Sequence, residues 1–337
     1  MNEKLTELGQ RVLTGGLLAR PELLELVRLG QESPYDLLYW ANRIRTSRFG
    51  SAVKLCCIVP GKLGGCREDC KWCAQSAASA PGAIPAKRTT PQDILSAART
   101  AAGCGAACIG IVNSGRRPSP RDLEELIAAV TRINSDPQTR GIEICASLGE
   151  LTGAQAERLA EAGIARYHHN LETSRRFFPN VVTTHTYHDR LATLDAAARA
   201  GMRLCCGGLF GLGETWEDRL DLALTLRDQV KPESVPLNFL HPIPGTALHD
   251  ARPLAPMEIL TIIAVFRFAL PDADLRIAGG RTVNLRDMQS WIFYAGATSA
   301  LTGKYLTTPG RSPEEDRRMI ADLGLQIVTT WPASLGG

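Results

Sequence analysis

Cys66, Cys70 and Cys73 stand at spacings of four and three residues in a short loop that follows Gly65. Thiolates on so short a loop can converge on one soft metal centre, and three of them leave one iron of a four-iron cube without a protein ligand. A reagent can bind at that iron. The alternatives are a zinc knuckle or cysteines that only fill space. Zinc usually takes a fourth Cys or His close by, whereas the nearest other cysteines lie upstream in a predicted strand.

The elements that must position this loop are indicated by short apolar runs that alternate with longer helical patterns from Val53 onward. Strands are expected near residues 53–59, 106–113, 142–147, 165–171, 203–209, 234–240, 274–279 and 296–301. Helices are expected, among others, at residues 91–102, 119–133, 152–162, 187–200 and 256–269. Eight such βα units predict an α/β fold, a TIM-type (β/α)8 barrel whose reactive groups gather at the C-terminal ends of the strands. The alternative, an open flavodoxin-like sheet, would need fewer strands.

The chain is expected to divide into three parts. Residues 1–48 have the apolar spacing of helices, with Pro21 and Ser33-Pro34 at helix starts, and they predict an N-terminal helical cap. The barrel is expected at residues 49–325, and a C-terminal tail at 326–337. The glycine-rich stretch 207–213 does not fit the dinucleotide-binding pattern, because Trp216 stands three places after its last glycine.

Composition excludes several classes of partner. Among 337 residues, 38 basic and 35 acidic side chains give a net charge of +3 with no dense Lys/Arg block, so nucleic acid is not an expected partner. No apolar run reaches the roughly 18 residues that a membrane span needs. The first residues predict a polar amphipathic helix rather than a secretory signal. The ten cysteines are therefore expected in a reducing cytoplasm, as metal ligands or buried thiols rather than disulfides.

Strand alternation predicts which side chains face the barrel interior. The more apolar set of each strand should face the helices, which leaves soft and polar side chains facing inward. The expected inward set comprises Lys54, Cys56, Glu143, Cys145, Ser147, Arg166, His168, Asn170, Glu172, Arg203, Cys205, Asn238 and Arg276. Because unpaired buried polar groups are costly, so polar a lumen indicates a function; a water-filled lumen and a salt-bridge network are the alternatives.

The cysteine loop, with Trp72 before its last cysteine, resembles the CxxxCxxC signature of the radical S-adenosylmethionine (radical SAM) enzymes. Later segments resemble the biotin synthase family in sequence and in order. They are YHHNLETS at 167–174, GGLFGLGET at 207–215, SVPLN at 234–238 and RIAGGR at 276–281. The resemblance runs from about residue 53 to residue 325, and so covers most of the chain.

The resemblance implies a reaction and its cofactors. In the family, the three thiolates hold a 4Fe-4S cluster whose fourth iron chelates the amino and carboxylate groups of S-adenosylmethionine (SAM). Cleavage of SAM to methionine yields a 5′-deoxyadenosyl radical, which removes hydrogen from C9 and then C6 of dethiobiotin. A second iron–sulfur cluster deep in the barrel donates the sulfur. The resemblance further implies an electron donor such as flavodoxin or ferredoxin, a homodimer and a cytoplasmic location.

The resemblance also implies which residues bind the cofactor and the substrate. Glu172 would bind the ribose hydroxyls of SAM, a role usually given to Asp, and Arg190 would pair with its carboxylate. The cofactor-binding set is completed by Trp72, Gly211 and Gly213. Asn170 and Asn238 would hold the ureido ring of dethiobiotin, whose donors and acceptors an amide can satisfy. His168, which replaces an asparagine common in the family, stands beside them.

The ligands of the second cluster are only partly given by the resemblance. Matching positions are held by Cys145, Cys205 and Arg276. Gly110 stands where a further cysteine is usual, so either Cys108 reaches in from one pleat away or Cys56 on the first strand replaces it. We favour Cys56, because two residues along a strand displace a side chain by roughly 6–7 Å. The cluster is expected to be 2Fe-2S or a four-iron variant.

Two other functions fit the cysteine loop alone. Another radical SAM enzyme with a different substrate, such as a mutase-like or hydrogenase-maturation relative, has no evident need for Asn238, Arg276 and the inner cysteines. An iron–sulfur electron carrier or scaffold would leave the polar lumen unexplained. The remaining cysteines are expected to be buried thiols: Cys57, Cys104 and Cys206.

Overall fold

Eight parallel strands close into a barrel in the computed structural model, which describes residues 1–79, 84–306, 308 and 310–332. The strands, in chain order, are β1 (Ala52–Leu63), β2 (Lys87–Arg88), β3 (Cys108–Asn113), β4 (Glu143–Ser147), β5 (Arg166–His168), β6 (Arg203–Cys205), β7 (Gly208–Phe210), β8 (Ser234–Phe239), β9 (Asp274–Ile277), β10 (Ser299–Leu301) and β11 (Gln326–Ile327). The barrel follows the order β1-β3-β4-β5-β6-β8-β9-β10, and β10 pairs with β1 to close it. The predicted TIM-type barrel is therefore confirmed, and the open sheet is wrong.

Helices connect the strands on the outside of the barrel. They are α1 (Glu3–Leu13), α2 (Arg20–Glu32), α3 (Pro34–Phe49), α4 (Pro91–Gly103), α5 (Pro120–Ser135), α6 (Gly153–Glu161), α7 (Tyr187–Arg199), α8 (Trp216–Thr225), α9 (Pro256–Ala269), α10 (Arg281–Leu285), α11 (Trp291–Tyr294) and α12 (Pro313–Asp322). Local sequence fixes their starts, because a Ser or Thr before α4, α5, α6 and α7 accepts a hydrogen bond from a backbone N–H of the first turn. The sequence therefore places these starts to within a residue.

Several strands are shorter than predicted, among them β10, which was expected at 296–301, and two whose differences have a visible cause. β5 ends at His168 because the N–H groups of Leu171 and Glu172 both donate to the carbonyl of Gly207. The predicted strand at 203–209 is divided into β6 and β7. A Cβ on Gly207 would lie 1.9 Å from the carbonyl oxygen of Pro236, so only glycine fits where the chain passes β8.

The segments at both ends of the chain pack on the barrel. Helix α3 packs along α9, and α2 contacts α8 and α9. At the other end, Gln326 pairs beside Ala52 at the start of β1, and Trp331 packs on Phe49 with ring centroids 5.0 Å apart. Residues 333–337 of the expected tail lie outside the described residues. No helix in the described part of the chain is long and apolar enough to cross a membrane.

Candidate active site

The cysteine loop follows β1, and hydrogen bonds between its own backbone groups hold its conformation. The N–H of Cys66 donates to the carbonyl of Gln75 (3.2 Å), and the N–H of Cys73 donates to the carbonyl of Cys70 (3.0 Å). The three cysteines are half-buried. Burial raises the pKa of the Cys70 thiol to about 12. The loop therefore carries three cysteines that the protein covers only in part.

Asp69 ties this loop to the segment that precedes α7. Its carboxylate accepts hydrogen bonds from the backbone N–H groups of Thr183 (3.0 Å) and Thr184 (3.2 Å) and from both threonine hydroxyls. Burial raises the pKa of Asp69, but these hydrogen bonds outweigh burial and lower the pKa to about 2. The N–H of Lys71 adds a hydrogen bond to the carbonyl of Val181 (3.1 Å). The loop is thus anchored on residues far along the chain.

A second set of hydrogen bonds starts at Glu68, whose side chain is buried within the loop. Glu68 Oε2 lies 2.5 Å from His185 Nδ1 and accepts from Thr184 Oγ1 at 2.7 Å. His185 Nε2 lies 3.1 Å from Arg190 Nε, and Arg190 Nη1 donates to the carbonyl of Asn170 at 2.7 Å. Arg190, which helical spacing alone would leave in solvent, is buried. Sequence reasoning missed Glu68 and His185, because no local pattern pairs residues 117 positions apart.

Two pairs of cysteine thiols lie inside the barrel. Cys56 on β1 and Cys108 on β3 are register partners, both 2% exposed, and their Sγ atoms are 2.9 Å apart. The hydrogen bond between them lowers the pKa of Cys108 and raises that of Cys56, so this pair loses a first proton more readily than a second. Cys145 on β4 and Cys205 on β6 are the other two buried thiols, and their interaction lowers the pKa of Cys205 and raises that of Cys145.

Arg276 on β9 faces both pairs. Its Nη1 lies 3.7 Å from Cys205 Sγ, and its Nη2 lies 3.2 Å from Asp274 Oδ2. Burial lowers the pKa of Arg276, but the nearby thiols of Cys56, Cys108 and Cys205 outweigh burial and raise it well above its usual value. Strand alternation therefore predicted correctly which strands bring soft and cationic side chains into the lumen.

The strand register gives no reason to prefer Cys56 to Cys108 as a ligand of the second cluster, contrary to expectation. Gly110 pairs with Cys145, whereas Cys108 pairs with Glu143 on β4 and with Cys56 on β1. Cys56 therefore lies at the same level of the barrel as Cys108, and the displacement along the strand that argued against Cys108 applies to both. The two thiols come together beside the same guanidinium.

Charged side chains fill the barrel toward the N-terminal ends of the strands. Arg166 on β5 is 3% exposed and pairs with Glu143 (3.1 Å) and Glu233 (2.6 Å), and Arg203 on β6 pairs with the same two carboxylates. The salt-bridge network that was an alternative explanation of the polar lumen therefore exists. It lies beneath the cysteines, since Glu143 and Arg203 each precede an inner cysteine by two residues.

A cavity of about 340 Å³ lies between the loop and the barrel interior, and none of the four inner cysteines lines it. Trp72 and Cys73 line it from the loop. His168, 4.0 Å from the Cys205 thiol through Nδ1, and Arg276 line it from the barrel interior. A small molecule in this cavity would contact Cys73 of the loop and the two residues, His168 and Arg276, that approach the Cys205 thiol.

The cavity lining also includes predicted substrate-binding and cofactor-binding residues, namely Asn170, Glu172 and Asn238. Asn238 Oδ1 accepts from the N–H of Gly279 (2.9 Å), and its Nδ2 donates to the carbonyl of Gly208 (3.1 Å). Asn170 Oδ1 accepts from the N–H of Gly207 (3.1 Å). Each carboxamide can offer a further N–H and a further lone pair to a ligand.

Glu172 follows β5 with a φ of +67°, an uncommon conformation for a residue other than glycine. Its Oε1 lies 3.9 Å from Arg190 Nη1, and its Oε2 lies 3.4 Å from Asn170 Nδ2. Burial raises the pKa of this carboxyl group. Arg190 itself does not line the cavity, but it contacts these two lining residues. The backbone at Glu172 thus directs a carboxylate into the cavity.

Gly211 and Gly213 do not line this cavity. The carboxylate of Glu214 accepts hydrogen bonds from the N–H groups of Gly211 (3.0 Å) and Leu212 (2.7 Å) and pairs with Arg219 (2.8 Å). The turn after β7 is therefore folded around Glu214. The backbone N–H of Gly211, which a sequence motif offers to a cofactor, is already used within the chain.

Three cysteines take no part in either set. Cys206 is fully buried in the apolar core, as predicted. Cys57 is partly buried against the same core, and Cys104 is partly buried at the end of α4. Of these three positions, only Cys206 has the fully buried thiol that was expected for all of them.

The donor sets fit iron–sulfur clusters. Three thiols on a half-buried loop leave one iron of a cube open to a ligand, and four buried thiols beside a guanidinium form a second soft set. Within the residues that the structure describes, no three Cys, His, Asp or Glu side chains converge closely enough for one metal ion. A cluster takes its ligands on different iron atoms, whereas the zinc knuckle would need them on one.

Two family models match the chain. The Radical SAM superfamily model matches residues 62–226, and the Biotin and Thiamin Synthesis associated domain model matches residues 236–326. The first range contains the cysteine loop and Arg190, and the second contains Asn238 and Arg276. The loop side of the cavity therefore lies in the first matched segment, and the side formed by Asn238 and Arg276 lies in the second.

Curated relatives are similar over almost their whole length. The biotin synthase of Trichlorobacter lovleyi is 47% identical over 94% of this chain and 94% of its own, and that of Geobacter sulfurreducens is 46% identical over 95% and 96%. Among solved structures, methylornithine synthase superposes with a TM-score of 0.80 at 21% identity, covering 95% of this chain and 97% of its own. The FeFe-hydrogenase maturase of Carboxydothermus hydrogenoformans gives 0.81 at 19% identity, over 99% and 80%. At these identities, the two structures show the fold alone.

Proposed function

Because the chain belongs to the biotin synthase family of radical SAM enzymes, we propose that it inserts sulfur between C6 and C9 of dethiobiotin. Membership of the family implies a 4Fe-4S cluster and SAM as cofactors. The observation that carries the proposal is a cavity lined by Cys73 of the loop and by His168 and Arg276, which both approach the inner thiol of Cys205. A substrate in that cavity would face a radical source on one side and a sulfur source on the other.

At the outer site, the proposed cluster ligands are Cys66, Cys70 and Cys73. When bound, the cluster supplies the electron that cleaves SAM to methionine and a 5′-deoxyadenosyl radical. The chain's own part is to bind, orient and exclude water. Glu172 would accept hydrogen bonds from the ribose hydroxyls, Arg190 would pair with the methionyl carboxylate, and Trp72 would cover the cavity beside Cys73. Because the radical removes hydrogen atoms, the chain needs no acid–base pair for that step.

At the inner site, the proposed ligands are Cys56, Cys108, Cys145 and Cys205, and the group they hold supplies the sulfur. The 2.9 Å separation of the Cys56 and Cys108 thiols supports the inclusion of both. Asp274 holds one nitrogen of Arg276, and the other faces Cys205, so the guanidinium can act as a ligand or as a hydrogen-bond donor to sulfur. Four thiolates suit a 2Fe-2S cluster or a four-iron variant, and Mössbauer spectra of the reconstituted protein distinguish the two.

The substrate contacts follow from the carboxamides in the cavity. Asn170 and Asn238 are held by backbone groups of neighbouring strands, so their orientations are set before a ligand arrives. Their remaining N–H groups and lone pairs complement the ureido ring of dethiobiotin. His168 would contact the same end of the substrate, since it lines the cavity next to Cys205.

The electron donor is proposed to be a flavodoxin or ferredoxin that docks on the face of the cysteine loop. Arg67 and Lys71 of the loop are exposed, and neither forms an ion pair with any residue that the structure describes. Arg116 pairs with Glu150 and Asp189, and Arg117 pairs with Glu150, so the exposed positive charge of this face comes from Arg67 and Lys71. Such a face attracts an acidic partner. A homodimer, tested by the mass of the native protein, and a cytoplasmic location are proposed on the family resemblance.

Anaerobic reconstitution with iron and sulfide, followed by dithionite, SAM and dethiobiotin, tests the function. The expected products are biotin, methionine and 5′-deoxyadenosine. Formation of 5′-deoxyadenosine without biotin would contradict dethiobiotin as the substrate and would favour another radical SAM reaction. Failure of the fully loaded protein to cleave SAM would contradict the whole proposal and would favour an electron carrier or scaffold.

A further inference from the structure

Three buried side chains connect the cysteine loop to the arginine proposed to bind SAM. Glu68 lies within the loop, His185 precedes α7, and Arg190 lies in the first turns of α7; each is at most 9% exposed. The contacts run from Glu68 Oε2 to His185 Nδ1 (2.5 Å) and from His185 Nε2 to Arg190 Nε (3.1 Å). The chain of contacts is continuous and has no solvent-exposed member.

The chemistry of the two contacts fixes the position of the imidazole proton. The Nε of an arginine can only donate, so His185 Nε2 must be the acceptor. The proton therefore lies on Nδ1, which donates to the Glu68 carboxylate. Burial lowers the pKa of His185, and the positive charge of Arg190 lowers it further, which agrees with a neutral imidazole. His185 is thus an oriented donor and acceptor, not a charge.

An aromatic ring restricts the same side chains. Phe178 is 1% exposed; its ring packs edge-on against His185 with centroids 5.7 Å apart, and Arg190 Cζ lies 5.3 Å from its centroid. Arg190 Nη1 is in turn held by the carbonyl of Asn170. In the described residues no protein group accepts a hydrogen bond from Arg190 Nη2. The guanidinium is therefore fixed on two nitrogens and keeps the third for a ligand.

The loop does not need these contacts for its own anchorage. Asp69 already binds it to Thr183 and Thr184 through four donors, and Lys71 adds a backbone bond. The contacts from Glu68 through His185 differ from this anchorage because they end at Arg190. These contacts therefore couple the position of the cysteine loop to the orientation of the Arg190 guanidinium.

We propose that His185 is a positioning residue, which orients Arg190 toward the carboxylate of SAM and keeps it in register with the cysteine loop. The inference rests on the proposed function, because it takes Arg190 as the group that binds the carboxylate. SAM would be held at two points, the open iron of the loop and the guanidinium. A side chain that fixes the distance between these points raises affinity by removing the cost of ordering a long arginine.

Three substitutions of His185 separate its two contacts. The carboxamide of His185→Gln can place an oxygen near Nε2 and keep the acceptor for Arg190. The carboxamide of His185→Asn can place an N–H near Nδ1 and keep only the donor to Glu68. His185→Phe keeps a planar ring and loses both. Asn is smaller than His and Phe is larger, so a loss that these two variants share and that His185→Gln lacks reports the hydrogen bond to Arg190 rather than size.

Equilibrium binding of SAM to the reconstituted protein is the main measurement. We expect His185→Asn and His185→Phe to raise the Kd for SAM about tenfold, and His185→Gln to raise it less than about threefold. The change that SAM produces in the EPR spectrum of the reduced loop cluster should weaken in the same order. The rate of SAM cleavage at saturating SAM and the affinity for dethiobiotin should stay within about threefold of the parent value.

Three other outcomes would contradict the proposal, and a fourth would contradict only the proposed function. Equal SAM affinity in all three variants would show that Arg190 needs no help from His185. An equal loss in all three would assign His185 to packing alone. Loss of loop-cluster iron in His185→Asn and His185→Gln alike would mean that the residue holds the loop rather than Arg190. Failure of the parent protein to form biotin while it binds and cleaves SAM would overturn the substrate assignment and leave this measurement interpretable.

Discussion

The three loop cysteines and the four inner cysteines are held in opposite ways. The loop cysteines are half-buried, and the loop that carries them is anchored through Asp69 by the backbone N–H groups and hydroxyls of Thr183 and Thr184, which lie far along the chain. The inner cysteines are at most 5% exposed and lie on barrel strands, where backbone pairing sets their positions. The loop set is therefore open to a ligand and a reductant, as the proposed function requires, whereas the inner set is shielded from solvent.

The difference teaches that the two sites should fail independently. The loop is positioned by a few side-chain hydrogen bonds, each of which can be removed without disturbing a strand. The inner set is positioned by the barrel itself, so only a change of the ligand or of its immediate charge environment should affect it. A substitution in one set should therefore leave the metal content of the other unchanged.

Removal of one loop thiol should have the largest effect. We expect Cys70→Ala to lower SAM cleavage to the level measured without protein, because an incomplete ligand set cannot hold the cluster that reduces SAM. The inner cluster should persist, and iron and sulfide analysis together with the visible spectrum would detect it. Cys104→Ala changes a cysteine outside both sets and is the matched control. This variant should retain both SAM cleavage and biotin formation. Loss of the inner cluster in Cys70→Ala would contradict the independence of the two sites.

Removal of an inner thiol should separate SAM cleavage from biotin formation. We expect Cys56→Ala and Cys108→Ala each to lower the iron and sulfide of the inner cluster and to abolish biotin formation, while 5′-deoxyadenosine still forms. Cys206→Ala removes a fully buried thiol outside the set and should cost stability without loss of the inner cluster. A Cys56→Ala protein with full inner iron and sulfide would remove Cys56 from the ligand set, and the same result for Cys108→Ala would remove Cys108.

Features of the two cysteine sites that depend on local sequence could be predicted from the sequence alone, whereas features that depend on contacts between distant segments could not. Helix α9 has the predicted bounds 256–269, and Cys206 faces the core as predicted, because apolar period and strand alternation are local properties. The relative height of Cys56 and Cys108 could not be predicted. Strand register is set by contacts between distant segments, and a one-residue error turns a side chain to the other face of the sheet, whereas a two-residue error moves it to another level of the barrel.

The cofactor contacts show the same limit. Resemblance singled out Arg190, but the Glu68–His185 path to it has no pattern in the chain, since its members come from a loop and a helix start. Gly211 was expected to meet the cofactor, yet its N–H is occupied by Glu214 three residues on. A sequence motif identifies residues that recur in a family. Only the three-dimensional structure shows which of their polar groups are free to bind a cofactor.

Weakening the anchor of the loop should have an intermediate effect. We expect Asp69→Ala to destabilise the loop by about 2–3 kcal/mol, since it removes the acceptor of several hydrogen bonds, and to speed the loss of loop-cluster iron to a chelator. Asp69→Asn keeps an oxygen acceptor for the backbone donors and should lose iron more slowly. The inner cluster should exchange at the parent rate in both. Equal iron loss in the parent and in Asp69→Ala would show that the loop does not depend on this anchor.

Reversal of charge on the exposed face of the loop should have the smallest effect and should be confined to one step. We expect Arg67→Glu and Lys71→Glu to raise the KM for an acidic flavodoxin a few-fold at low salt, because surface charge governs encounter with a partner more than it governs chemistry. The effect should shrink as salt is added, since exposed charges are screened over about 10 Å at 0.1 M. With dithionite as the reductant both variants should form biotin at the parent rate, and Arg28→Glu on α2, an exposed arginine away from the loop, should behave as the parent with either reductant. A loss of activity that is equal with dithionite and with flavodoxin would place Arg67 and Lys71 in cluster binding rather than in docking, and the loop face would then have no part in receiving electrons.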